Sequence, residues 1–187
     1  NCVQWIEVPS LEASAALMKH PGVSLILATG GPGMVKSAYS SGKPALGVGS
    51  GNTPIIFDES CDIKVAVSSV IHSKTFDNGT ICASEQSVIV DASIYEEVKK
   101  EFRARKAYIA EGEELVKLKK IVLGANGSMN AKLVGRPAIE IAQEAGFNVP
   151  ADTKLIIGEA TSTEISEPLA HEKLFPLLSM YKADDFD

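Results

Sequence analysis

The sequence predicts an α/β fold built on parallel strands. Three observations carry this expectation. Short apolar runs of strand length alternate with longer stretches of helical periodicity. A glycine turn, Thr29-Gly30-Gly31-Pro32-Gly33, joins a strand-like run to a helix-like one. The chain of 187 residues is 45% hydrophobic and 22% charged, ordinary values for a protein able to bury a core without disulfides.

Taken in order, Val3 to Val8 reads as a strand, and Ser10 as the cap of a helix reaching about Lys19, with Glu12 in its first turn. Ser24 to Ala28 is a continuous apolar run of the kind buried on both faces. After the glycine turn a helix runs to about Ser40, and strands follow at Ala45 to Val48 and Ile55 to Phe57. Cys61 to Phe76 is the clearest helix. Ile63, Ala66, Val67, Val70 and Ile71 keep the 3.6-residue period, Ser60 is its expected cap, and Asp77-Asn78-Gly79 its stop. Ser87 to Val90 reads as a strand, Ser93 to about Arg105 and Gly112 to Val122 as helices. Ala138 to Ala145 is a helix closed by Gly146, and strands are expected at Lys154 to Ile157 and Pro176 to Tyr181.

Charge and cysteines narrow the function classes. With 18 Lys and Arg against 24 Asp and Glu, the net charge is −6, a field that repels nucleic acid and anionic membranes. No apolar run reaches membrane-spanning length. Three widely spaced cysteines, with no C-x-x-C pair, argue for a reduced, cytoplasmic setting rather than a disulfide framework.

Several residues can carry chemistry. Thr29 to Gly33 opens a helix, where backbone N–H groups attract anions and absent side chains admit a cofactor; a tight βα turn explains the glycines equally well. Gly47-Val48-Gly49-Ser50-Gly51-Asn52-Thr53-Pro54 suggests close packing on a ligand or another chain segment, or a flexible connector. Cys82 lies in a polar, glycine-containing stretch that favours an accessible thiol over a buried inert one. Its rival is Cys61, at an expected helix start that favours thiolate, though Asp58, Glu59 and Asp62 oppose ionisation. Cys2 has no supporting context. Glu172 is either a ribose-binding carboxylate or a surface acid. His20, His72 and His171 show no metal spacing, and Lys99 to Lys106 reads as a solvated basic helix face.

The runs Ala28 to Val35, Ser40 to Pro54, and Lys74-Thr75-Phe76-Asp77-Asn78-Gly79-Thr80-Ile81-Cys82-Ala83-Ser84-Glu85-Gln86 together resemble the coenzyme A-acylating branch of the aldehyde dehydrogenase family. The likeness continues in order to Glu172-Lys173-Leu174-Phe175-Pro176. It implies that residues 1–52 are the end of a Rossmann-like NAD-binding domain and residues 53–187 an incomplete catalytic domain. It further implies that Cys82 is the catalytic thiol, that Thr29, Gly30 and Gly33 lie along the nicotinamide and pyrophosphate, and that Glu172 holds the nicotinamide ribose. Hydrolytic members carry a glutamate base where this sequence has Val48, so the thioester should survive until coenzyme A displaces it.

The expected reaction is acetaldehyde, coenzyme A and NAD going to acetyl-coenzyme A and NADH, and back. Small aldehydes and acyl-coenzyme A are the implied substrates, no metal is implied, and the parent enzyme is expected to be a homo-oligomer or filament. A chain less than half a whole unit is expected to be inactive alone. Three other readings stay open: a stand-alone acylating propionaldehyde dehydrogenase, a non-catalytic filament-forming scaffold piece, and a generic nucleotide-binding regulatory domain that needs only the Thr29 loop.

Overall fold

The computed structural model describes residues 2–125 and 127–185. The chain divides into two compact units, Asn1–Ser50 and Gly51–Asp187.

In the first unit, helix α1 (Leu11–Lys19) starts where Ser10 accepts a hydrogen bond from the Ala13 N–H. Strand β1 (Ile26–Thr29) leads through the glycine turn into α2 (Pro32–Tyr39), and β2 (Ala45–Val48) returns parallel to β1. This is the expected βαβ step. Two expectations fail here. Val3 to Val8 forms no strand; Val3, Trp5 and Val8 lie exposed, because extended backbone needs a neighbouring ladder and this segment has none. The run at Ser24 becomes a strand only from Ile26, and its burial alternates: Ile26 and Ala28 pack inward while Leu27 is 74% exposed. A two-stranded sheet with one covered face buries only every second residue.

The second unit is a five-stranded sheet in the order β3-β4-β7-β6-β5, parallel throughout. Its strands are β3 (Thr53–Phe57), β4 (Glu85–Asp91), β5 (Ala107–Ala110), β6 (Leu155–Glu159) and β7 (Leu177–Ala183). Helices α3 (Ile63–Thr75) and α4 (Tyr95–Ala104) supply one hydrophobic layer, where Val67, Val70, Val98 and Phe102 meet Phe57, Val88, Leu155, Ile157 and Leu178. Phe57 and Phe102 stack at 6.4 Å. Helices α5 (Gly112–Val122) and α6 (Ala138–Ala145) supply the other, where Leu118, Val122, Ile141 and Ala142 meet Ile156 and Leu177. Consecutive residues of β6 point to opposite layers, and both are fully buried, so the strand reads as an unbroken apolar run.

The helices match their expected spans closely, and three readings of this unit are corrected. α3 begins at Ile63, and its cap is Asp62, which accepts from the Val65 N–H; Ser60 instead donates its hydroxyl to Asp58. Cys61 therefore precedes the helix. β5 was not expected at all. Lys99, read as part of a solvated basic face, is 8% exposed and ion-paired with Glu159 and Glu111. Among the described residues no helix is long and apolar enough to cross a membrane.

Candidate active site

β3, β4 and β7 are neighbours and parallel, so the segments entering them share one edge of the sheet. Those segments carry Gly51, Cys82 and Glu172. The helix α3 ends at Thr75 because Asp77 and Asn78 take left-handed backbone angles, φ 47° and 49°, followed by Gly79 at φ 76°. This turn delivers the chain to Cys82, which is exposed. A side chain on Gly79 would sit 2.8 Å from the Phe175 carbonyl carbon, so glycine lets the turn press on the segment before β7.

The glycine-dense loop closes on the same edge. A Cβ on Gly51 would lie 2.4 Å from the carbonyl oxygen of Cys82 and 3.4 Å from Glu172 Oε1. The Gly51 N–H donates to Glu172 Oε1 at 2.9 Å, and Asn52 Nδ2 donates to the Ala170 carbonyl at 2.8 Å. Of the three readings of this loop, close packing on another chain segment is met at Gly51 and Asn52. Cys82 and Glu172 are thus brought to one place by direct contacts of Gly51 with each.

Cys61 is placed otherwise. It is partly buried against the layer formed by α3 and α4, and burial, then Asp58 and Asp62, pushes its thiol above the ordinary value. It also lacks the helix start that favoured it. Thr29, Gly30 and Gly33 lie in the first unit. Gly30 donates its N–H to the Val48 carbonyl, and Gly31 caps α2 without a side-chain hydrogen bond. A Cβ on Gly31 or Gly33 would meet nothing within 4 Å, which leaves that helix start open to an anion such as a pyrophosphate. The Gly30 N–H is taken by Val48, and Pro32 has none, so what this turn offers a cofactor phosphate is unobstructed space at the glycines of the helix start. His20, His72 and His171 each bond to nearby backbone, with His171 Nε2 2.8 Å from the Ile165 carbonyl.

Sequence reasoning missed a buried polar cluster beneath the edge. Lys74 and Lys173 are both fully buried, and burial pushes both ammonium groups down to about 7 against the favourable charge of Glu172. A signal was present: Lys74 falls on the apolar stripe Val67, Val70, Ile71 of α3, where a lysine is out of place unless it has partners.

A parallel sheet covered on both sides, a cysteine exposed at its edge and a glutamate held beside it define an α/β enzyme-like unit with a candidate thiol nucleophile. A family model for the aldehyde dehydrogenase family matches residues 1–170, and the chain belongs to that family. It is 58% identical over 187 residues to the bifunctional aldehyde-alcohol dehydrogenase AdhE of Escherichia coli, covering all of this chain and 21% of that protein. The chain therefore spans about a fifth of that relative's length. Among solved structures, an acetylating aldehyde dehydrogenase from Geobacillus thermoglucosidasius superposes with a TM-score of 0.90 at 49% identity, over 94% of this chain and 39% of that one. A propionaldehyde dehydrogenase from Rhodopseudomonas palustris, solved with bound CoA and an acylated cysteine, gives 0.85 at 32%, over 95% and 40%.

Proposed function

We propose that this chain is part of an NAD-dependent, coenzyme A-acylating acetaldehyde dehydrogenase, with Cys82 as the acyl-carrying thiol. The observation that carries the reading is the exposed Cys82 loop packed through Gly51 onto Glu172 at one sheet edge. Its likeness to AdhE and to acetylating aldehyde dehydrogenases supports an acetyl-sized substrate. The first unit is read as the end of the cofactor domain and the second as part of the catalytic domain. Thr29, Gly30 and Gly33 would lie along NAD, and Glu172 would bind its nicotinamide ribose.

Cys82 Sγ, as thiolate, adds to the aldehyde carbonyl carbon and forms a tetrahedral hemithioacetal. NAD, when bound, supplies the acceptor for the hydride that leaves this carbon. Cys82 then holds the acyl group as a thioester, until the thiol of coenzyme A attacks the same carbon and releases Cys82. Val48 has no group that accepts a proton, which supports slow loss of the thioester to water. The setting is cytoplasmic and the parent enzyme a homo-oligomer or filament. Exposed Trp5, Leu27 and Leu46 support further chain or a second copy packing on the first unit.

In a complete unit carrying this sequence, acetyl-coenzyme A drives NADH oxidation, and Cys82→Ala lowers the rate by about a thousandfold or more while Cys61→Ala leaves it within about twofold. Retained turnover in Cys82→Ala contradicts the assignment.

A further inference from the structure

Helix α3 buries one face, and that face ends in a lysine. A buried ammonium is costly unless it donates to well-placed acceptors. Lys74 Nζ donates to the Lys173 carbonyl at 2.6 Å and to Gln86 Oε1 at 3.0 Å. The same Gln86 oxygen accepts the Lys173 N–H at 2.8 Å. Lys173 Nζ turns back to the carbonyls of Leu169 at 2.7 Å and His171 at 2.6 Å. Ser179 Oγ donates to the Leu169 carbonyl as well. All but the Lys74–Gln86 bond end on the backbone of residues 169–173, and within that stretch Glu172 is the side chain that reaches Gly51. The stretch is thereby tied to α3 and β4, the two elements on either side of the Cys82 loop.

We propose that Lys74 is a positioning residue that, through Gln86 and the Lys173 carbonyl, fixes the Glu172 carboxylate relative to Cys82. The proposal rests on the reading of Cys82 and Glu172 as parts of one site. The line of contact is continuous: Lys74 to the Lys173 carbonyl, Glu172 to the Gly51 N–H, and Gly51 against the Cys82 carbonyl. Glu85 and Glu172 bring negative charge towards the ammonium, and Glu85 Oε2 is buried with no hydrogen-bond partner among the described residues. Loss of the lysine leaves the Lys173 carbonyl without its donor and this charge without its counterion.

Two measurements test the proposal. In the chain itself, amide hydrogen exchange of Lys74→Met and of Gln86→Leu is compared with wild type. The expected result is exchange at Gly51 and Lys173 about tenfold faster, with the sheet amides of Val88 and Ile157 unchanged. Unchanged exchange at Gly51 and Lys173, or equal acceleration throughout the sheet, overturns it. Should Lys74→Met not fold, Gln86→Leu is judged by the same criteria.

In a complete unit carrying this sequence, Lys74→Met raises KM for NAD about tenfold with kcat within about threefold, and adding Glu172→Gln raises KM no further. Additive effects overturn the proposal. A wild-type unit that turns over no NAD contradicts the functional reading instead, and the exchange result still decides the clamp.

Discussion

Lys74 and Lys173 give the second unit a distinctive pH response. Each sits at about 7 when folded, against an ordinary 10.5, so folding releases protons across that interval. The unfolded chain then binds more protons than the native one, and stability rises with pH from about 7 towards 10.5 and is lost as pH falls back across that interval, with no further loss from these groups below about 7. The neutral amine keeps two N–H donors, enough for the Gln86 and Lys173 bonds of Lys74. The partly buried Cys61 thiol acts in the opposite sense, but only above its ordinary 9.0. The urea midpoint should therefore climb between about pH 6.5 and 8.5, the unfolding free energy rising by up to about 1.4 kcal/mol per pH unit for each neutral lysine, and Lys74→Met should flatten that climb. A flat or falling wild-type midpoint contradicts the assignment. Gly51→Ala is a sharper probe of the site: its Cβ meets the Cys82 carbonyl at 2.4 Å, so the Cys82 loop must move. It is expected to lower turnover by about a hundredfold while costing only about 1–2 kcal/mol of stability; a stability loss with normal turnover would contradict the packing described.

At the scale of elements, most of the second unit is readable in sequence because its helices carry two independent signals, a buried stripe and a terminus. α6 shows both, with Ile141, Ala142 and Ala145 buried and Gly146 closing it at φ 83°. α3 shows how the two signals separate. Its stripe is unambiguous, yet Asp58, Ser60 and Asp62 are all cap-type residues, and of the three it is Asp62 whose side chain accepts from a first-turn N–H, that of Val65. Asp62→Ala should cost about 1 kcal/mol by denaturant unfolding, and Ser60→Ala less than about 0.5; the reverse order would restore Ser60 as the cap. β5 was illegible for a different reason. Four residues, two of them alanine, follow Lys106 at φ 71°, and pairing with β6 along the register Ala107 to Leu155 makes them a strand. Val3 to Val8 is the converse, strand-like residues with no ladder to join.

For the whole molecule, topology explains why three distant segments act together. Residues near 51, 82 and 172 enter adjacent parallel strands, so the order β3-β4-β7 sets them side by side. No local pattern in the sequence contains that order; the likeness to the coenzyme A-acylating family supplied the pairing of Cys82 with Glu172, whereas Lys173 and Gln86 emerged only from the contacts. The sheet also makes the unit cooperative, because β6 serves both hydrophobic layers. Ile157→Ala and Ile156→Ala, on opposite faces, should each cost about 2–5 kcal/mol and lower one common unfolding transition. Separate transitions for the two faces would contradict a single core.

The central claim is that Cys82 carries the acyl group, and acyl transfer from acetyl-coenzyme A to a complete unit carrying this sequence tests it most directly. After brief reaction without NADH, the acetyl group is mapped by mass spectrometry on Cys2, Cys61 and Cys82. The account predicts a thioester on Cys82 alone, removed when free coenzyme A is added in excess. Acetyl on Cys61, label spread over exposed cysteines and lysines alike, or no thioester at Cys82 would contradict it.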